Sequence, residues 1–307
     1  MNVWATLAAI FLSWNLTVQS FYDLPQIKLQ ANDTQSELTL SDQRLEEKKV
    51  IPHKIDNNSW GVKITAQAAA VMDKNTGLVL WQKNADQVRS LASITKLMTV
   101  LVFLDHNPGW DKVITMEQQD ETSEMQPNIL RGELVTVRDL FNVTLVASDN
   151  NAARALARST GLTAEAFAQE MNKKALELKM SQSHFVEPTG LDAANQATAL
   201  DVLKMGQVAF AKSEIQKAVI QKNYTLITQA GRNQKVLSTN NLLKSYLDVR
   251  AGKTGYIEAA GYCLLVEVAN ETNQEILTVV LGSSAHENRF QDAKILSGWV
   301  FENYQWF

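Results

Sequence analysis

The sequence predicts an α/β protein with two lobes: an antiparallel sheet flanked by helices, built from both ends of the chain, and an all-helical lobe inserted between them. Three observations carry this. β-like runs lie near the start, at Val62 to Met72 and Leu78 to Trp81, and return after Asn223. Between them, roughly over residues 91–222, helices follow one another with their own start and stop signals. The last stretch, His286 to Tyr304, is helical, with Phe290, Ala293, Leu296 and Val300 on one side. Two such lobes leave a cleft, the usual place for a site.

The first elements in chain order are the apolar start and a polar spacer. Residues 3–14 form an apolar run of signal-peptide length, too short for a comfortable membrane span. No Lys or Arg precedes it and no lipidatable cysteine follows it. Residues 1–20 are therefore expected to be a signal peptide, with an uncleaved anchor and peripheral membrane association as the alternative. Residues 21–59 are polar and weakly periodic, and are expected to be a linker before a domain spanning 60–307.

The domain begins with a β-hairpin, because Asp73-Lys74-Asn75-Thr76-Gly77 supplies a turn between two apolar runs. A helix begins near Ser93. Thr136 with Asp139 is a helix start before Leu140 to Ala147. Asn150 to Ser159 is the next helix, stopped by Gly161. Thr163 starts a helix carrying Phe167, Met171 and Leu178, and Thr198 with Asp201 caps another. Tyr224 to Ile227, Cys263 to Val268 and Ile276 to Leu281 then read as strands separated by polar turns.

Composition sets outer bounds on function. The 307 residues carry 45% hydrophobic and 20% charged side chains, ordinary values for a globular protein with ample core. A net charge of −4 gives no argument for nucleic acid. His53, His106, His184 and His286 are scattered without metal-ligand spacing. Cys263 sits among apolar residues and reads as a small core side chain; as the lone cysteine it excludes an intrachain disulfide.

Chemistry concentrates in three short motifs. Ser93-Ile94-Thr95-Lys96 places a serine and a lysine one helical turn apart on one face. A serine hydroxyl needs an adjacent base to act as a nucleophile, and a lysine can be that base when burial favours its neutral form. The apolar surroundings, Ile94 to Leu104, supply that burial. Ser148-Asp149-Asn150 lies at a junction of two helices, and Lys253-Thr254-Gly255 precedes the strand run from Gly261 to Val268. Ser238-Thr239-Asn240 also satisfies Ser-x-Asn but follows a strand-like stretch, so Ser148 is preferred. Gly252-Lys253-Thr254 looks like the end of a phosphate-binding loop, but Leu247 stands where that motif needs glycine.

Ser-x-x-Lys, Ser-Asp-Asn and Lys-Thr-Gly, in this order, form the motif set of class A β-lactamases and penicillin-binding proteins. Over about residues 60–304 the chain resembles the low-molecular-mass penicillin-binding proteins, the serine D-Ala-D-Ala carboxypeptidases and murein DD-endopeptidases. Residues 68–73, 184–192, 238–243 and Lys253-Thr254-Gly255-Tyr256 look like further blocks of that family. The resemblance implies a β-lactamase/transpeptidase-like fold with the active site between the lobes. It implies peptidoglycan stem peptides as substrates, β-lactams as inhibitors, no metal or organic cofactor, and a periplasmic or extracellular location. Ser93 would attack the peptide carbonyl, Lys96 would take its proton and Ser148 would relay a proton to the leaving amine. Asn150, Lys253, Thr254, Gly255 and Tyr256 would bind substrate, with backbone N–H groups of Ser93 and Tyr256 as the oxyanion hole. Lys253, Thr254 and Arg289 are the candidates for holding a terminal carboxylate.

Two features depart from or refine the pattern. The second motif often carries Gly in the middle, where this chain has Asp149, as class A β-lactamases do. Yet no Glu-x-x-Leu-Asn stretch, which such a β-lactamase needs, occurs between Asn151 and Lys253. The residues after Gly255 suffice for closing strands and a helix, which resembles the short endopeptidase-type members. A class A-like β-lactamase and a non-catalytic penicillin-sensing or cell-wall-binding module are the alternatives.

Overall fold

A computed structural model describes residues 50–122 and 127–307. The expected signal segment 1–20 and most of the expected linker lie outside the described residues. In chain order the elements are β1 (Pro52–Lys54), β2 (Ala68–Asp73), β3 (Val79–Lys83), β4 (Arg89–Ser90), α1 (Thr95–Asp105), β5 (Val113–Thr115) and β6 (Leu134–Thr136). Then come α2 (Val137–Val146), α3 (Asn150–Ser159), α4 (Ala164–Glu177), β7 (Gln196–Ala197), α5 (Ala199–Phe210), α6 (Ser213–Val219), β8 (Asn223–Ile227) and β9 (Asn233–Leu237). Last are β10 (Asp248–Ile257), β11 (Gly261–Ala269), β12 (Glu275–Ser283), α7 (Asn288–Asn303) and β13 (Tyr304–Trp306).

The central sheet has five strands in the order β10-β11-β12-β2-β3, antiparallel throughout. Both ends of the chain thus contribute to it. α5 packs on one face and α7 on the other. β2 shows why the sheet is buried on both sides: Ala68, Ala70 and Met72 join the core shared with the helices, and Ala69 and Val71 join the core under α7. Phe290, Ala293, Leu296 and Val300 are buried against that second core, as their spacing predicts. Burial holds Cys263 inert and pushes its thiol up to about 11.

Local signals act as expected where side chains meet backbone. Asp73 accepts from the N–H and hydroxyl of Thr76 at 2.7 and 2.6 Å, which turns the first hairpin. Thr136 and Asp139 form a reciprocal capping box at α2, and Thr163 and Thr198 cap α4 and α5.

Three expectations need correction. The polar linker was expected to reach residue 59, but Pro52–Lys54 pair with Tyr304–Trp306, so the folded part begins earlier. The region 91–222 is not all helical, because β5 pairs with β6 inside it and β4 pairs with β7. Lys253-Thr254-Gly255 does precede the expected strand, β11, but was not itself expected to be one: it lies within β10, at the edge of the central sheet. Among the described residues β10 has one strand partner, β11, which its turn delivers; the 3-10 turn Ala92–Ile94 and α6 pack near it without adding a strand.

Candidate active site

The site forms where the helical middle of the chain meets β10. A short 3-10 turn, Ala92–Ile94, runs directly into α1. Ala92 has φ +48°, an uncommon value for a residue with a side chain, and sits immediately before Ser93. Two glycines make room for this turn. At Gly190, which has φ +85°, a Cβ would lie 1.9 Å from the Ala92 carbonyl oxygen. At Gly255, on β10, a Cβ would lie 2.9 Å from the Leu91 carbonyl oxygen and 3.1 Å from the Ser93 nitrogen. Backbone from two distant segments therefore closes on the serine from both sides.

α1 is buried on nearly every face, and Lys96 is fully buried within it. Its Nζ donates to Ser93 Oγ at 2.9 Å, to Asn150 Oδ1 at 2.5 Å and to the Thr189 carbonyl at 2.8 Å. The Thr189 carbonyl is presented by a loop that Glu187 organises: its carboxylate accepts from the N–H and hydroxyl of Thr189, from the Gly190 N–H and from Asn195 Nδ2. The same loop ties back through Asn195, whose carbonyl accepts the Leu91 N–H at 3.0 Å.

Ser148 lies in the link between α2 and α3 with φ +61°, a second non-glycine residue in the left-handed region. Its Oγ accepts from Lys253 Nζ at 2.6 Å. Asp149, the departure in the second motif, caps α3: its carboxylate accepts the Ala152 N–H at 2.7 Å and an Asn128 amide N–H at 2.8 Å. That carboxylate is buried and used structurally. Asn150, the first residue of α3, turns its oxygen to Lys96.

Lys253 is almost fully buried and also donates to the Thr254 carbonyl at 2.9 Å. Burial holds its ammonium well below the usual lysine range, and the charges of Lys96 and Arg289 push in the same direction. The Thr254 hydroxyl is 2.6 Å from that of Thr239. Arg289 of α7 is buried behind β10 and donates to the Gly255 carbonyl at 3.1 Å. Tyr256 is half exposed and stacks on Tyr262, its cross-strand partner, with centroids 4.3 Å apart.

A family model of D-alanyl-D-alanine carboxypeptidases matches residues 53–285. The chain belongs to the D-alanyl-D-alanine carboxypeptidase family. A D-alanyl-D-alanine endopeptidase of Pseudomonas aeruginosa is 34% identical over 254 residues, 77% of this chain and 77% of that protein. One of Haemophilus influenzae is 30% identical over 236 residues, covering 75% and 80%. The crystal structure of the Streptomyces K15 DD-transpeptidase superposes with a TM-score of 0.73 at 28% identity, over 80% of this chain and all of that one. The β-lactamase/transpeptidase-like fold expected from the motifs is thus the fold of this D-alanyl-D-alanine carboxypeptidase family member.

Of the eight residues expected in the site, Ser93, Lys96 and Asn150 form one hydrogen-bonded group, Ser148, Lys253 and Thr254 a second, Gly255 lies against the Ser93 backbone, and Tyr256 follows it on β10, stacked on Tyr262. The competing Ser238 does not reach Lys253; its Oγ accepts the Asn240 N–H within its own turn. Sequence reasoning gave no role to the Thr189 carbonyl, Glu187, Asn195 or Thr239. The first is a main-chain contact with no side-chain signature, Glu187 and Asn195 act through a loop whose closure on Ala92 is visible only in three dimensions, and Thr239 acts through a long-range contact with Thr254.

The glycine clamp is testable. Gly190→Ala is expected to lower stability by more than about 1 kcal/mol, since it adds both a left-handed strain and a clash with backbone. It is also expected to slow acylation by benzylpenicillin, because the Ala92 carbonyl and the Ser93 turn must shift. Urea unfolding and acylation rates measure the two effects; wild-type values in both would remove the clamp from the account.

Proposed function

We propose that the protein is a serine DD-peptidase that hydrolyses D-Ala-D-Ala or cross-link peptide bonds of peptidoglycan through an acyl-enzyme on Ser93. The observation that carries this reading is the buried Lys96 Nζ 2.9 Å from Ser93 Oγ, held there by Asn150 and Thr189, where its neutral amine can act as the base. Lys96 accepts the Ser93 proton as the hydroxyl attacks the carbonyl carbon. Proton transfer by a placed base contributes about 10²–10⁴ in rate. Lys253 is itself held well below the usual lysine range, first by burial and then by the charges of Lys96 and Arg289. Ser148, bonded to Lys253, is placed to pass a proton to the leaving amine. The Ser93 and Tyr256 N–H groups hold the developing oxyanion, and Gly255 is what lets them converge. The open edge of β10 offers a template for the substrate peptide to add as a strand. Water then releases the acyl group.

Relatives named endopeptidases favour cross-link cleavage as the finer activity. Arg289, occupied with the Gly255 carbonyl, would act on a terminal carboxylate only together with Lys253 and Thr254. β-Lactams acylate the same serine. A periplasmic or extracellular location follows from the substrate, with residues 1–20 as export signal or peripheral membrane anchor.

The test is intact mass over time with excess benzylpenicillin, followed by digestion of purified muropeptides. A long-lived adduct, with cross-linked dimers converted to monomers, is the expected result. Loss of one D-Ala from pentapeptides alone would make the protein a carboxypeptidase. Rapid drug hydrolysis with little trapped adduct would make it a β-lactamase, and neither adduct nor hydrolysis a binding module.

A further inference from the structure

We propose that a second site, at the far end of the central sheet, binds the glycan strand of peptidoglycan through its N-acetylated amino sugars. The proposal rests on the DD-peptidase reading only in its choice of polymer. A surface cleft of about 340 Å³ lies between the β11–β12 turn and β13, within the size range of small-molecule sites (~300–1,000 Å³). Its lining is chemically selective. Asn270, Thr272, Gln274 and Gln305 supply neutral hydrogen-bonding groups, Tyr304, Trp306 and Phe307 supply aromatic rings, and no lining side chain carries a formal charge. Uncharged amides beside aromatic rings suit a ligand with hydroxyl and acetamido groups on one side and an apolar ring face on the other.

The site is also organised before any ligand arrives. The Trp306 indole N–H donates to Asp73 Oδ2 at 2.8 Å, and its ring packs against Phe301 with centroids 6.0 Å apart. The Tyr304 hydroxyl donates to the Leu80 carbonyl at 2.6 Å. Both polar tips are thus tied inward, and what these residues offer a ligand is ring surface. Asn270 Oδ1 is engaged by the Thr272 and Gln274 N–H groups, at 3.1 and 2.9 Å, and by the Thr272 hydroxyl. Its amide N–H₂ has no protein acceptor among the described residues, and the Gln305 side chain makes no protein hydrogen bond there. A rigid aromatic base with uncommitted amide donors costs little ordering on binding.

Position fits the polymer. Leu265 pairs with Lys253, and Asn270 follows five residues later, roughly 17 Å along the sheet at strand rise. One peptidoglycan strand can span that separation, with its sugars in the cleft and a stem peptide on β10.

The experiment uses the protein carrying Gln305→Ala with Phe307→Ala, both exposed positions, with Gln305→Ala alone as a second variant. Chitotetraose, the tetramer of N-acetylglucosamine, is titrated while tryptophan fluorescence is read; cellotetraose, which lacks the acetamido groups, is the control. The expected result is saturable binding of chitotetraose to wild type, weakened at least about tenfold in the double variant and for cellotetraose. Benzylpenicillin acylation stays at the wild-type rate in both variants. Cleavage of intact sacculi falls several-fold while soluble muropeptides are cut as before. No saturable chitotetraose binding, equal binding by the double variant, or equal binding of cellotetraose would overturn the proposal. The probe carries no stem peptide and the acylation assay needs no sugar, so a protein that binds chitotetraose but fails to acylate would sink the peptidase reading and leave this one standing.

Discussion

Benzylpenicillin is expected to add no mass to the Ser93→Ala variant, while the wild-type protein gains one stable adduct. Turnover of muropeptides falls by about 10⁴-fold or more, because the nucleophile and its proton path act as one unit. The fold persists. Among the described residues Ser93 Oγ accepts one hydrogen bond, from Lys96, and Lys96 keeps Asn150 Oδ1 at 2.5 Å and the Thr189 carbonyl at 2.8 Å. The stability change therefore stays within about 1 kcal/mol. Intact mass spectrometry and urea unfolding check both halves. Full labelling of the variant would assign the nucleophile elsewhere.

Lys253→Met is expected to separate activity from stability. Acylation falls by about 10²–10³, since Ser148 loses its partner and the site loses a charge beside the reacting carbonyl. Stability holds or rises, because methionine fills much of the same space without an ammonium to desolvate. The pH dependence gives the sign. In the folded protein Lys253 has a lowered pKa, while in the unfolded chain it titrates near 10.5. Between those two values the unfolded chain binds more protons, so wild-type stability climbs with pH through this window. Below the folded value the penalty is complete and constant. The advantage of Lys253→Met is therefore larger at pH 7 than at pH 10, as paired urea midpoints measure. An advantage that does not shrink on going to pH 10 would show that Lys253 is not paying for its burial.

The chemistry of the site was legible because it is written in side chains. Ser93, Lys96, Ser148, Asn150 and Lys253 each need a particular functional group at a particular spacing, and the groups meet as the spacing implies. Helix starts were legible for the same reason, since Thr136, Thr163 and Thr198 cap through their own hydroxyls. What escaped is main-chain chemistry and pairing at long range. The two-residue ladder of β4 with β7 and the three-residue ladder of β1 with β13 carry no periodic signal of their own length. β10 escaped because Gly252, Lys253 and Gly255 have poor strand propensities; the strand exists through its pairing with the apolar β11. Asp149, which departs from the usual Gly of the second motif, is explained by the start of α3, where its carboxylate accepts the Ala152 N–H.

The three segments that meet at Ser93 come from far apart in the chain, with Ser148 and Lys253 separated by 105 in sequence. No local stretch holds a working nucleophile. During synthesis, Ser93 and Lys96 leave the ribosome long before β10 exists to align against them, and β10 in turn needs β11. Reactivity thus arrives late, with closure of the sheet, and a half-made or unfolded chain is chemically silent. The time course of penicillin capture during refolding would then be a clock for the last step of folding.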